Sequence, residues 1–313
     1  MVEVELAIFQ AIPSDKEAHG VVLPCVVSED SAPATSPAQT QGSHRSISDD
    51  VGNPWSQPKI AVNPPRPQGV IRTIQLVPSN ESEKDIKGLL RDQLGLGPAP
   101  TVPLPPAAAA DLVNLYVNSG KFTGRAFDVY GHNDPCAITS DDLIAVTMLS
   151  ISIRENSNSA LRPSAILKLQ AHSDQIESLL TQLPPARELH TMVSEEFDSW
   201  LGPSSPGAML YDLLRQTISL PRVTTHKLLA RKRPLLLPIR DTVVEGALNL
   251  GNRDDDWWRP WWIALSTDDA LVPRLQEIRQ LAGTPNLSLL RIADIVIWLQ
   301  NWPGRESLPS SSV

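Results

Sequence analysis

The sequence predicts an all-α protein, a multi-helix globular domain behind a proline-rich, largely irregular N-terminal extension. Three observations lead there. From residue 107 onward, apolar residues recur at helical spacing in one segment after another, and strand-type alternation is scarce. Helix punctuation accompanies them: Thr139 and Ser288 stand where N-caps belong, and Gly251 stands where a helix should close. The first 105 residues are instead rich in Pro, Ser, Gln and Asn, a composition that buries too little apolar surface to offset chain entropy. The expected organisation is a weakly structured extension and linker over residues 1–105, an all-α domain over 106–305 and a disordered tail over 306–313.

Within the extension, residues 2–9 alternate like a strand, 21–27 are apolar, and 70–77 (VIRTIQLV) read as another strand. Residues 82–96 have the pattern of a short amphipathic helix, with Ile86, Leu89, Leu90 and Leu94 on one stripe. Residues 98–106 form a stiff proline-rich linker. In the domain, a helix over 107–117 carries Leu112, Leu115 and Tyr116 on one face. Thr139 caps the next, with Asp141 and Asp142 in the first turn, where carboxylates complement the helix dipole. The run 143–153 is apolar almost all round, which marks a central buried helix. Further helices are expected over 173–183, 206–218, 223–230, 238–250, 256–265, from the Thr267-Asp268-Asp269 cap to 281, and over 289–302.

The chain has 313 residues and a formal net charge of −8, which argues against general coating of nucleic acid. Cys25 and Cys136 lie far apart, make no CxxC and suit a reducing compartment. No apolar run approaches the ~20 residues needed to span a bilayer. The expectation is a cytoplasmic protein with no membrane partner. Its oligomeric state is not legible.

Against this acidic background, residues 227–241 read KLLARKRPLLLPIRD. Between Arg215 and Arg240 there are seven basic residues and no acidic one. Lys227, Arg231, Lys232, Arg233 and Arg240 are the candidate anion-binding residues, since guanidinium forks suit phosphate and carboxylate. Nucleic acid and an acidic protein face are the candidate partners. Cations at a helix end also complement the dipole without any ligand. Asp241, with Pro238 opening a helix, falls in a first turn, where capping alone accounts for an aspartate. As a carboxylate beside the stripe it is also the candidate catalytic residue.

Trp257, Trp258, Trp261 and Trp262 fall within six residues; core packing is the simpler reading and a stacking platform the alternative. Asp254, Asp255 and Asp256 cannot share one helix face and make a poor metal site. None of the six histidines has zinc-site spacing, and His226 reads as exposed or half-buried on a basic face. No metal and no cofactor are expected.

These residues carry a resemblance. Val223-Thr224, the block 227–234, Leu237-Pro238-Ile239, Asp241 and Val243-Val244 resemble an uncharacterised bacterial family known best from actinomycetes. So do residues 122–125 with Phe127, residues 138–146, and residues 289–298. The resemblance covers most of 107–302 and implies a fold more than an activity. A second, more distant one is to the helix-hairpin-helix base-excision glycosylases. There, turn glycines let backbone N–H groups approach a DNA phosphate, and an aspartate about 20 residues on assists removal of a flipped base. The matching turn here, Ile218-Ser219-Leu220-Pro221, has no glycine. Three functions follow: a binding module for an anionic partner through the basic stripe, a divergent glycosylase-like enzyme using Asp241, or a structural domain whose arginines pair with carboxylates such as Asp142, Asp241 or Asp294.

Overall fold

The computed structural model of the protein describes residues 80–97, 104–155, 160–251 and 257–304. The strands expected over 2–9, 21–27 and 70–77, the three aspartates at 254–256 and the C-terminal tail lie outside the described residues. The described residues form an all-α, multi-helix domain; among them the sole β feature is an isolated bridge between Ile153 and Leu161.

Helix α1 (Asn80–Gln93) buries Ile86, Leu90 and Leu94 against α10 (Trp258–Thr267) and α12 (Leu289–Asn301). Arg91 fastens it by donating to both oxygens of Asp268 at 3.0 Å. The helical body therefore starts before the boundary expected at residue 105. Burial of each leucine is favourable by ~1.5–3 kcal/mol. Helix α2 (Pro106–Asn118) uses Pro106 where a missing N–H costs nothing.

Helix α3 (Ser140–Thr147) begins at the expected Thr139. Asp142 closes the cap by accepting the Thr139 backbone N–H at 2.8 Å. The helix ends six residues earlier than the apolar run does, because Ser150 adopts a left-handed conformation with φ 64°. Ile144 and Ile153 are exposed, so this is not the central buried helix. Helices α4 (Pro163–Ala171) and α6 (Ser194–Leu201) were not expected; α5 (Ser173–Thr181) was.

Helix α7 (Pro206–Asp212) runs into a π-helical turn, Leu213–Thr217, and then into the turn 218–221, where Ser219 has φ 68°. Helix α8 (Arg222–Lys232) follows, and it occupies the centre: nine of its eleven residues are buried. Helix α9 (Thr242–Ala247) is shorter than expected, since Pro238 to Arg240 remain outside it. Helix α10 buries Trp258 and Trp261, with Trp257 just ahead of it also buried, so the tryptophan cluster is core rather than a stacking platform. Asp268 caps α11 (Leu271–Leu281) by accepting from Ala270 and Leu271 N–H. Ser288 caps α12 as expected, its Oγ accepting from Arg291 N–H at 3.1 Å. Ten of the thirteen residues of α12 are buried, which makes it the second axis of the core.

Cys136, the one cysteine among the described residues, is not free, against the expectation of unpaired thiols. No described helix is long and apolar enough to cross a membrane.

Asp142 is fully buried and faces both Arg231 and Lys232, at 3.4 and 2.8 Å. Removing one partner of such a group strands the rest, so Asp142→Ala is expected to destabilise by ~3–5 kcal/mol in denaturant unfolding. Asp198→Ala, which deletes the exposed partner of Arg259, should change stability by no more than ~1 kcal/mol. Similar losses in the two variants would show that the buried contact carries no special weight.

Candidate functional site

Helix α8 has a polar sequence, RVTTHKLLARK, yet lies in the interior. A charge there is tolerated only when its donors are all engaged. Arg231 donates to the carbonyls of Phe127 (2.6 Å) and Tyr130 and to Asp142. Lys232 donates to Asn133 Oδ1 and Asp142 Oδ2, both at 2.8 Å, and burial lowers its ammonium from the usual lysine range. Arg233 has carbonyl partners alone, from Leu180, Leu183, Pro135 and Lys232. Burial lowers its guanidinium to about 10, still cationic at neutral pH. Arg240, in the loop before α9, donates to Glu245 at 2.7 Å and lies over the Trp257 ring.

The expectation of a reachable anion-binding stripe is thus corrected. Lys227, Arg231, Lys232, Arg233 and Arg240 are each at most 3 % exposed. Helix α8 is enclosed on all sides, so cations that the sequence clusters become interior struts, four of them tied to the residues 127–142, 180–183 and 245. His226 is likewise buried rather than half-exposed, packed against Tyr211, Trp257 and Trp258. Burial, followed by the nearby Arg240, Arg222 and Arg215, holds its imidazole well below the usual range and therefore neutral.

Lys227 is the exception in its surroundings. Its Nζ donates to Asp241 Oδ2 at 3.0 Å and to the Leu149 carbonyl at 2.8 Å. The left-handed turn at Ser150 follows directly after that carbonyl. Asp241 is the N-cap of α9, its Oδ1 accepting from Val243 N–H at 3.0 Å. Both residues line a cavity of about 240 Å³, walled by α2, α8, α12 and the segments 121–124, 148–150 and 239–241.

The cavity contains residues that the sequence did not nominate. Arg291 on α12 donates to Asp128 Oδ2 (2.9 Å), Asp294 Oδ2 (2.5 Å), Tyr116 OH (3.2 Å) and the Gly124 carbonyl (2.9 Å). Burial alone would lower its guanidinium, but Asp128, Tyr116 and Asp294 outweigh it and hold the group firmly cationic. Asp294 is 5 % exposed, and its Oδ1 is buried with no hydrogen-bond partner among the described residues. Burial, and secondarily the nearby Asp241, raises its carboxyl to about 6 despite Arg291 and Lys227. Opposite stand aromatic rings: Tyr116 stacked on Phe122 (5.2 Å) and the half-buried Trp298 stacked on Trp302 (5.4 Å), with Phe122 edge-on to both indoles. Gly124 is required, since a Cβ there would lie 2.0 Å from the Tyr116 hydroxyl. The available signal was an Arg and an Asp three residues apart inside an otherwise apolar helix. Among the described residues no group of three or more His, Cys, Asp or Glu is placed to hold a metal ion.

Compared with known protein families, residues 109–301 match one described as a family of unknown function, DUF6308. No curated protein and no solved structure matches the chain.

Two pH effects follow. Carboxyl NMR should show Asp294 titrating near 6. Asp241→Asn removes a like charge and should move it down; Lys227→Met removes a cation and should move it up. An unmoved titration in both variants would dissolve the electrostatic link between the three groups. His226 has a folded pKa below its unfolded value, so the unfolded chain binds the extra proton. Stability should fall as pH drops below ~6.5, and His226→Phe should flatten that slope in unfolding midpoints measured from pH 5 to 8. An equally steep slope in the variant would assign it to other groups.

Proposed function

The chain belongs to the family of unknown function DUF6308, and we propose that it is an enzyme that carries out acid–base chemistry on a small ligand held in the Asp241–Asp294 cavity. The observation that carries this reading is the placement of two carboxylates of unlike environment on one cavity wall. Asp241 is anchored by Lys227 and a backbone N–H. Asp294 keeps one oxygen without a protein partner. A pair whose surroundings differ in this way can divide the roles of acid and base. Asp294 exchanges a proton with the ligand atom against Oδ1, and its pKa near neutrality suits transfer in either direction. Asp241 stabilises the charge that develops. Supporting this, the separated segments 122–124, 227, 239–241 and 291–298 converge on one cavity. Proteins concentrate perturbed carboxyls at such places.

A second reading narrows the first. Helix α7 with its π-turn, the turn at Ser219 and α8 follow one another along the chain, with Asp241 in a cavity further on. A divergent glycosylase acting on an extruded base through Asp241 is favoured by that order, and the left-handed Ser219 supplies a backbone conformation that glycine usually provides.

The test is turnover. Chromogenic esters, amides and glycosides, and duplexes carrying uracil, hypoxanthine or 3-methyladenine, are incubated with wild type, Asp241→Asn and Asp294→Asn from pH 5 to 8. Expected is one active substrate class, a rate inflection near 6, and losses of ~10²-fold or more in both variants. Activity untouched by either substitution would remove the cavity from catalysis. Absence of base release, with another class turned over, would retire the glycosylase reading alone.

A further inference from the structure

The groups on the cavity wall say what class of molecule it accepts. Two cations serve it from the interior, Lys227 on α8 and Arg291 on α12. Two carboxylates on the wall face them, Asp241 before α9 and Asp294 on α12, and Asp128, off the wall, pairs with Arg291 as well. Lys121, also on the wall, is exposed, where water and salt screen it. Tyr116 on α2 adds no charge, since burial raises its phenol further from ionisation.

Donors inside the wall are largely spent. Arg291 directs its nitrogens at four protein acceptors, and Lys227 places two bonds on Leu149 and Asp241. On the acceptor side Asp294 Oδ1 is buried and has no partner among the described residues. A buried carboxylate oxygen left unmatched costs free energy, and a ligand that donates to it removes that cost. Four rings line the same cavity, Tyr116, Phe122, Trp298 and Trp302; Tyr116 already takes the Arg291 guanidinium over its ring, at 5.2 Å, which leaves Trp298 and Trp302 for a ligand. Aromatic faces attract cations, most of all where water is excluded. A volume of about 240 Å³ lies below the ~300 Å³ at which drug-sized sites begin, so the molecule is small.

From the unmatched Asp294 carboxylate oxygen and the aromatic wall, we infer that the cavity takes a compact organic cation, an amidinium or ammonium group on a small ring or alkyl frame. This rests on the reading of the cavity as the working site and names the charge class of its ligand. The cationic head donates to Asp294 Oδ1 and lies among the rings, with Trp298 and Trp302 half-buried on the wall. An anion of the same shape would meet two carboxylates, Asp241 and Asp294, and no uncommitted arginine.

Benzamidine, benzamide and benzoate have one frame and three charges, and they test the inference on the full-length protein by isothermal titration at pH 7.5. Benzamidine is expected to bind at least tenfold more tightly than benzamide, and benzoate more weakly still. Protonation of Asp294 removes the carboxylate charge that the cation meets, so benzamidine affinity should fall about tenfold between pH 7.5 and pH 5. Asp294→Asn, which retains a carbonyl oxygen for Arg291, should abolish the preference for the cation. If that variant does not fold, Trp302→Ala, at a half-buried position, should weaken benzamidine at least fivefold. Preference for benzamide or benzoate, or a benzamidine affinity indifferent to pH and to both substitutions, would overturn the cation assignment while leaving the cavity as a site. Failure of all three to bind would overturn both.

Discussion

A charged helix placed at the centre of a protein must be neutralised by whatever surrounds it, and that constraint organises this structure. Helix α8 brings Lys227, Arg231 and Lys232 into the interior, with Arg233 at its end. Removing an ion from water costs several kcal/mol even after relaxation. The surrounding chain is shaped to meet that cost. Residues 127–135 direct carbonyls and Asn133 at the helix, and Asp142 serves at once as the cap of α3 and as the counter-ion of two cations. The basic side chains lie at the C-terminal end of α8, where they also offset its dipole. Segments with little regular structure of their own are thereby held in place by polar contacts.

The same helix supplies the one cation that is tied off differently. Lys227 lies earlier along α8 than the other three and reaches the wall of a cavity instead of a sealed network. Its counterpart is Arg291 on α12, saturated by Asp128, Asp294, Tyr116 and a carbonyl. The two central helices thus each present a cation and are each matched by carboxylates, but the match on the cavity side is incomplete. One oxygen of Asp294 has no partner, and its carboxyl is raised to about 6. Along the same helix Arg231 and Lys232, with Arg233 at its end, are held by acceptors. An imperfectly satisfied group beside a space walled by aromatic rings is the feature that separates a site from a strut.

The elements differ in how much of them was legible. Helices α2, α11 and α12 and their start signals were readable because caps and apolar stripes are local. The end of α3 was not: Ser150 is left-handed there, and the preceding Leu149 carbonyl accepts from Lys227, 78 residues further on. Helix α1 was readable as a helix, but its membership of the helical body depends on the surfaces of α10 and α12. Asp241 was nominated from its neighbourhood in sequence and lines a cavity; Arg291, Trp298 and Trp302 were read as parts of a terminal helix. Asp142 and Asp294 were expected as counter-ions for Arg231 and Arg233: Asp142 does take Arg231, together with Lys232, whereas Asp294 takes Arg291 and Arg233 is held by carbonyls.

By itself the sequence determined that the chain after residue 105 is helical, where most of its helices begin, and that one short segment concentrates its positive charge. Those properties are set by neighbours within a turn or two. Which way the charges face was decided by the tertiary structure alone. A cation's exposure depends on whether distant carbonyls and carboxylates can replace its water, and here Asp142, Phe127, Tyr130 and Leu183 do so from 50 to 104 positions away. Spacing along a chain carries no record of such partners, so a run that reads as a surface stripe became the interior of the protein.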